Sequence, residues 1–434
     1  MAHSVCDQLA CCIIVHSFYW QSLTVTKISA HPAHKRLQPG AKVILGMSGG
    51  VDSSVAAHLL IEQGYQVEGL FMKNWEEDDG TEYCTAQVDL EDAQAAADRF
   101  NIPLHQANFA AEYWDKVFAQ FLEEYQRDRT PNPDILCNRE IKFEQFVAYA
   151  TTLGADLIAT GHYVRRTGQG DSLRILKGID DNKDQTYFLQ AVPRQQLDLC
   201  LFPLGDFVKA DIRRLASELE LTNHRKKDST GICFIGERRF ADFLKRYITD
   251  QPGPITDTRG IAVGEHSGLH FYTLGQRQGI NIGGLAGRPE APWYVVKKES
   301  TSNTLIVSQD ECDLMHTTLI ASQPNWLQPV NLPLTCAAKI RYRQKEQACD
   351  VSIASDGLLQ VEFHTAQRAI TPGQYIAFYH GEEMLGGAYI EGIEGIEGIE
   401  GIEGIEGKEG IEGIEGSASS SADASDRTPR ARSD

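Results

Sequence analysis

From Lys42 onward, short apolar runs alternate with longer stretches of helical spacing. Lys42-Val43-Ile44-Leu45 has the composition of a buried strand. Val55 to Ile61 carries good helix formers at helical periodicity. Val67 to Met72 predicts a second strand, Leu90 to Phe100 a helix, and Pro103 to Asn108 a third strand. Ala111 to Asp128 predicts a helix with Trp114, Val117, Phe118, Phe121, Leu122 and Tyr125 on one apolar face. Lys142 to Leu153 predicts another helix, and Asp156 to Thr160 a strand ending at Gly161-His162. Repeated strand–helix units of this kind imply an α/β fold, a doubly wound parallel sheet with helices on both faces. Ligands of such sheets sit at the carboxyl ends of the strands. The turn after Leu45, Met72 and Gly161-His162 all fall there.

After residue 222 the texture changes. Residues 223–297 are rich in glycine and turns, as in Tyr272-Thr273-Leu274-Gly275, and predict a small central domain. Residues 298–390 carry short alternating runs such as Asn303 to Val307 and Gly373 to Phe378, which predict a C-terminal β-barrel. Residues 391–416 repeat Glu-Gly-Ile, and 417–434 are rich in Ser, Ala, Arg and Asp. Frequent glycine and like charge oppose ordering, so 391–434 predicts a disordered tail. Residues 1–40 form an extension of unknown role. Its apolar run Cys11 to Val15 is short and lacks a basic flank, which makes a poor signal peptide. The α/β domain is therefore expected over 41–222.

The tail also distorts the charge. Its repeat holds nine glutamates and one lysine, a large share of the formal −19 of the chain. An acidic body must bind RNA, if at all, through local basic patches. Arg225-Lys226-Lys227, Arg238-Arg239, and Lys339 with Arg341, Arg343 and Lys345 are the candidates. The ten cysteines include no C-x-x-C, which argues against a zinc ribbon or a thioredoxin-like motif. They do not read as a disulfide framework, so a cytoplasmic setting is expected. No apolar run is long enough to cross a bilayer, and no membrane partner is expected.

The turn itself reads Gly46-Met47-Ser48-Gly49-Gly50-Val51-Asp52-Ser53-Ser54. Gly49 and Gly50 can take backbone angles closed to other residues and bring main-chain N–H groups to an anion. The following helix aims its positive end at the same point. This makes a phosphate cradle, though not a Walker A loop, because no Gly-Lys-Ser/Thr follows. The string resembles the PP-loop of the ATP pyrophosphatases, which cleave ATP to AMP and pyrophosphate. That resemblance implies ATP binding by Gly46, Met47, Ser48, Gly49, Gly50, Val51, Asp52 and Ser53, with Asp52 near Mg²⁺.

Two cysteines stand in unusual company. Cys137 follows Pro131-Asn132-Pro133-Asp134, whose prolines predict a stiff loop before the helix containing Lys142. Cys233 lies between Gly231 and Gly236, near Lys226, Lys227, Arg238 and Arg239. A helix start or nearby cations lower a thiol pKa. Local context leaves each residue open between a reactive thiol and a small buried hydrophobe.

Taken together, several stretches resemble the tRNA-specific 2-thiouridylases (the MnmA/TrmU family). They are Gly46 to Ser54, Gly69 to Met72, Pro131 to Asn138, Ala159 to Tyr163, Lys183-Asp184-Gln185, Gly231 to Gly236 and Arg341 to Gln344. The resemblance runs from about Lys42 to Ile390 and excludes both extensions. It implies an adenine nucleotide alpha hydrolase-like first domain and replacement of the C2 oxygen of a tRNA wobble uridine by sulfur. ATP would adenylate that oxygen, helped by Mg²⁺, with Met72 and Gly161 also on the nucleotide. A persulfide on Cys233, loaded by a sulfur carrier or cysteine desulfurase, would deliver sulfur. Cys137 would close a transient disulfide with Cys233, which needs Cα atoms about 4.4–6.8 Å apart.

By the same resemblance Asn132, Pro133 and Asp134 would meet the target base, with Asp134 moving protons. His162, Lys183, Asp184, Gln185, Arg341, Tyr342 and Gln374 would contact the anticodon stem-loop. Ordinary readings stand beside these. Asp134 also reads as a turn aspartate, His162 as a satisfied turn histidine and Lys183 as a surface charge. Two other functions remain open at this level: a PP-loop ligase that needs no cysteine pair, and a non-catalytic tRNA-binding or sulfur-relay protein.

Overall fold

The computed structural model describes residues 40–77, 86–228, 240–283 and 289–393. Cys233, Arg238 and Arg239 lie outside these, as do the expectations for residues 1–39 and 394–434.

Five parallel strands form the first sheet, in the order Leu104–Asn108, Gln66–Lys73, Lys42–Gly46, Leu157–Ala159, Cys200–Leu201. Alternation along the central strand explains the double winding. Ile44 faces one buried cluster with Phe118, Phe121, Phe143 and Phe146. Val43 and Leu45 face the opposite cluster with Val55, Ala56, Ala93 and Ala97. Each fully buried large apolar side chain contributes about 1.5–3 kcal/mol, so both faces hold the sheet.

The helices mostly fall where periodicity puts them, at Val51–Glu62 and Ala86–Phe100. Ala110–Tyr113, Trp114–Phe118 and Ala119–Gln126 run on as one helix with a π-helical middle. One expectation fails. The segment Pro131 to Asn138 is not a loop throughout, because a helix starts at Pro133 and runs through Pro133–Leu136, Cys137–Gln145 and Phe146–Thr152. Proline is barred from a helix interior but suits the first position, where its missing N–H has no partner to lose. Cys137 thus opens a π-helical stretch, a distortion that recurs at functional sites.

The second sheet has the order Tyr294–Glu299, Thr304–Ser308, Gly253–Asp257, Ala262–His266. The boundary expected at 298 therefore falls inside a hairpin that strand pairing assigns to the central unit. Alternation predicted a strand at Asn303 to Val307, found at Thr304–Ser308, but could not name its neighbour and placed it in the barrel. In the third sheet Met315–Trp326, Leu359–Arg368, Gln347–Ile353, Leu334–Lys339, Tyr375–His380 and Glu383–Gly392 form a barrel. It closes where the first and last of these pair. The last strand runs past Ile390, so Glu391 belongs to the barrel and not to the tail. Its carboxylate is almost covered and pairs with Arg129 at 2.9 Å.

The hairpin Val164–Thr167/Arg174–Lys177 leaves the first domain and continues the barrel sheet. It pairs Ile175 with Met384 and Leu176 with Glu383.

Candidate active site at the glycine loop and the cysteine helix

The glycine turn has the geometry of an anion cradle. Gly49 has φ +71°, and a Cβ there would collide with the Asp89 carbonyl, so only glycine fits. Met47 and Val51 bury their side chains in the core, which leaves their main chain to the cradle. Ser53 Oγ donates to Gly50 O at 3.1 Å and accepts from Ser48 N at 3.3 Å, so the loop braces itself. Gly161 presses on the loop from the next strand, and a Cβ there would lie 3.2 Å from Ser53 N. A Cβ on Gly46 would touch Met72 Cε and Phe146 Cε1, both at 3.4 Å. Met72 and Gly161 therefore flank the loop, as expected from their strand ends.

Charges surround this cradle. Asp52, in the first helical turn, accepts from Tyr163 Oη at 2.7 Å and from Lys209 Nζ at 2.7 and 2.8 Å. Lys209 also pairs with Asp228 at 2.8 Å, as does Arg213 at 2.7 Å, and Lys183 bonds the same carboxylate. Burial would raise the Asp228 pKa, but the Lys183 and Lys209 contacts win and hold it at about 2. Behind the loop, Asn223 Nδ2 donates to Gly49 O and Ser54 Oγ, both at 3.0 Å. Lys226 reaches Gly49 O at 3.3 Å, Asp89 at 2.7 Å and Asp92 at 2.6 Å.

Sequence reasoning missed Lys209, Arg213, Asn223 and Asp228, which are single polar residues with no motif of their own. Lys226, a candidate for a basic RNA-binding patch, instead braces the loop from behind. For Mg²⁺, Asp52 offers one carboxylate, and among the described residues no cluster of three metal-binding side chains exists. That donor set fits an ion held mainly by substrate phosphates and water.

The helix bearing Cys137 passes beside the cradle. Its Phe146 flanks Gly46, and its Phe143 ring lies 6.0 Å from that of His162. Cys137 lies six positions before Phe143 on the same π-helical stretch. Cys137 is buried, and Asn138 beside it donates through Nδ2 to Asp134 O at 2.8 Å. Burial raises the Asp134 pKa, and the nearby Lys142 charge opposes the rise only partly.

Both other domains grip the residues just before this helix. From the barrel, Gln374 Nε2 donates to Thr130 O at 2.7 Å, and Gln374 Oε1 accepts from Asn132 Nδ2 at 3.4 Å. Thr130 N donates to Pro372 O at 3.0 Å. From the central unit, the half-buried Lys298 donates to Asp128 O at 2.9 Å, and desolvation lowers its pKa to about 8.

Comparison with known proteins decides the family. A profile described as the tRNA methyl transferase HUP domain matches residues 41–237. The tRNA methyl transferase PRC-barrel domain matches 241–309, and the aminomethyltransferase beta-barrel domain 316–390. The tRNA-specific 2-thiouridylase MnmA of Pseudomonas putida (strain GB-1) is 59% identical over 81% of this chain and 94% of its own. Its counterpart in Stutzerimonas stutzeri (strain A1501) is 60% identical over the same shares. The chain belongs to the tRNA-specific 2-thiouridylase family.

In this 2-thiouridylase-family chain the segments expected to meet tRNA fall together in part. The Phe188 ring lies 4.4 Å from that of Tyr342, which brings the turn after Lys183-Asp184-Gln185 against Arg341-Tyr342. Gln185 Oε1 accepts from Tyr163 N at 3.0 Å, and Arg341 donates to Ala369 O at 2.8 Å. Asp184 is buried, and it accepts from Gly178 N at 3.2 Å and from Thr186 Oγ1 at 2.9 Å, so it shapes the turn. His162 is 8% exposed and shares a 2.8 Å hydrogen bond with Thr160 Oγ1. Burial drives its pKa to about 3, so the ring is neutral and offers RNA little surface. Lys339, expected in a basic patch, is instead buried against Asp184 and Glu346.

Proposed function

We propose that the protein performs ATP-dependent 2-thiolation of the wobble uridine of tRNA. What carries the reading is one helix that spans both chemistries. Its Phe146 borders the phosphate cradle, and its Cys137 lies toward the loop clasped by the barrel. The relatives named above are called tRNA-specific 2-thiouridylases, which favours tRNA as the substrate.

A uracil C2 carbonyl is amide-like, and its oxygen leaves poorly. Transfer of AMP from ATP to that oxygen makes it a leaving group, and pyrophosphate departs. Main-chain N–H groups of residues 48–53 and the helix dipole stabilise the charge growing on pyrophosphate. Mg²⁺ bound by Asp52 and the phosphates would add Lewis-acid neutralisation of that charge. The terminal sulfur of a Cys233 persulfide, donated by a sulfur carrier or desulfurase, attacks C2 as AMP leaves. The Cys137 thiolate then attacks the inner Cys233 sulfur, which frees the thiolated base and leaves a Cys137–Cys233 disulfide.

Asn132, Pro133 and Asp134 receive the target base, which leaves a single-stranded loop at modest cost. Asp134, its pKa raised, is suited to passing a proton at the base. Lys183, Gln185, Arg341, Tyr342 and Gln374 line the RNA side, with Asp184 and His162 shaping it from beneath.

The experiment is a pair of assays with unmodified tRNA. Cys137→Ser and Cys233→Ser should each abolish thiolation while AMP and pyrophosphate release persists at least partly. Normal thiolation in either variant, or no ATP cleavage by the wild type, would overturn the reading.

A further inference from the structure

We propose that Lys209 is a phosphate-binding residue of the adenylation site, held for that role by Asp228. The inference rests on the reading that the glycine loop binds the nucleotide. Its starting point is the place of the ammonium group. Lys209 Nζ meets both oxygens of Asp52, at 2.7 and 2.8 Å, and Asp52 is the second residue of the helix that opens at the cradle. The lysine side chain is only 11% exposed, so its charge is largely withdrawn from bulk water and aimed at the loop.

Asp52 and Asp228 are faced by Lys209, Lys183 and Arg213. Asp180, which accepts from Lys209 N at 2.9 Å, brings a third carboxylate, so the side-chain charges balance. The dipole of the helix Val51–Glu62 adds positive potential at the cradle, which favours a phosphate there. Lys226 does not share this role, since its bonds to Gly49 O, Asp89 and Asp92 keep it behind the loop. Lys183 and Arg213 reach Asp228 rather than Asp52.

Among the described residues, Lys209 alone bridges the two carboxylates. A phosphate oxygen arriving at the loop can replace Asp52 as its partner while the Asp228 contact keeps the ammonium in place. The exchange trades one charge-assisted contact for another, so it carries little cost, and it frees the Asp52 carboxylate. The same ammonium then opposes the charge that grows on pyrophosphate as it departs.

Titration of the full chain with inorganic pyrophosphate, ATP and AMP tests this. Lys209→Met should weaken pyrophosphate and ATP binding by about ten- to a hundredfold, the loss of one charge-assisted contact. AMP binding should stay near wild type, and Lys209→Arg should recover most of the affinity for pyrophosphate. Asp228→Asn should weaken pyrophosphate several-fold, which keeps the test open if Lys209→Met does not fold. Wild-type pyrophosphate affinity in a folded Lys209→Met, or in Asp228→Asn, overturns the assignment of Lys209. Failure of the wild type itself to bind pyrophosphate or ATP would instead sink the nucleotide reading.

Discussion

Gln374, in the barrel, donates a 2.7 Å hydrogen bond to the carbonyl of Thr130, three residues before the helix that carries Cys137. The contact joins residues far apart in sequence and fixes where that helix begins. Gly373 beside it has φ +92°, and a Cβ there would stand 2.9 Å from the Thr130 backbone. Gly373→Val should therefore cost about 1–3 kcal/mol in backbone strain alone and push the barrel off the loop. Urea unfolding should show the loss. Thiolation should fall further than ATP binding, and an equal fall in both would refute the coupling.

Asp134 gives a pH prediction. Burial raises its folded pKa above the unfolded value of 3.8. The folded state thus holds the proton more tightly. That contribution is full below the unfolded pKa and is lost as pH rises through the folded one. Asp134→Asn, which stays neutral, should melt at a higher temperature than wild type near pH 7. The difference should shrink as the buffer is acidified. Thiolation should nonetheless fall, because asparagine cannot pass a proton.

His162 gives the opposite sign. Burial depresses its pKa from 6.5 to about 3. The stability it contributes is present above the unfolded value and is lost as pH falls through that interval. His162→Gln should lose less stability than wild type between pH 7 and pH 4. Part of the slope should survive, since burial also depresses His58, His266, His270 and His316. Melting curves across that range would read the difference, and identical slopes would contradict the placement of His162.

Cys336 and Cys349 face each other across adjacent barrel strands, with Sγ atoms 3.8 Å apart. Peroxide should join them, the two thiols losing two hydrogens as peroxide becomes water. A variant with Cys137→Ser and Cys233→Ser should still form this bond, and adding Cys336→Ser should prevent it. Peptide mass mapping would show the crosslink. Any assay that scores the proposed Cys137–Cys233 disulfide by thiol loss alone must subtract this second pair.

The glycine loop was legible because everything it needs is local: a strand, a turn that only glycine can make, and a helix. The two-faced sheet was legible for a similar reason, since Val43, Ile44 and Leu45 alternate between its two cores. The helix start at Pro133 was not. Proline rules out a helix interior but permits a first turn, and contacts from Gln374 and Pro372, more than two hundred residues away, fix the approach to it. The Lys209–Asp52 and Lys209–Asp228 pairs were equally hidden. Ordinary charges carry no periodicity that says which of them will meet, and nothing in Arg225-Lys226-Lys227 marks Lys226 as the one that folding places behind Gly49.

The strand pairing of Ile175 with Met384 bears on how this chain can be cut. A fragment ending before the barrel would leave the edge of Arg174–Lys177 with unmatched backbone groups, ready to recruit a strand from another molecule. Dissection into separately expressed pieces should thus yield a sticky nucleotide-binding fragment, and a barrel supplied in trans would restore its solubility by occupying the bare edge.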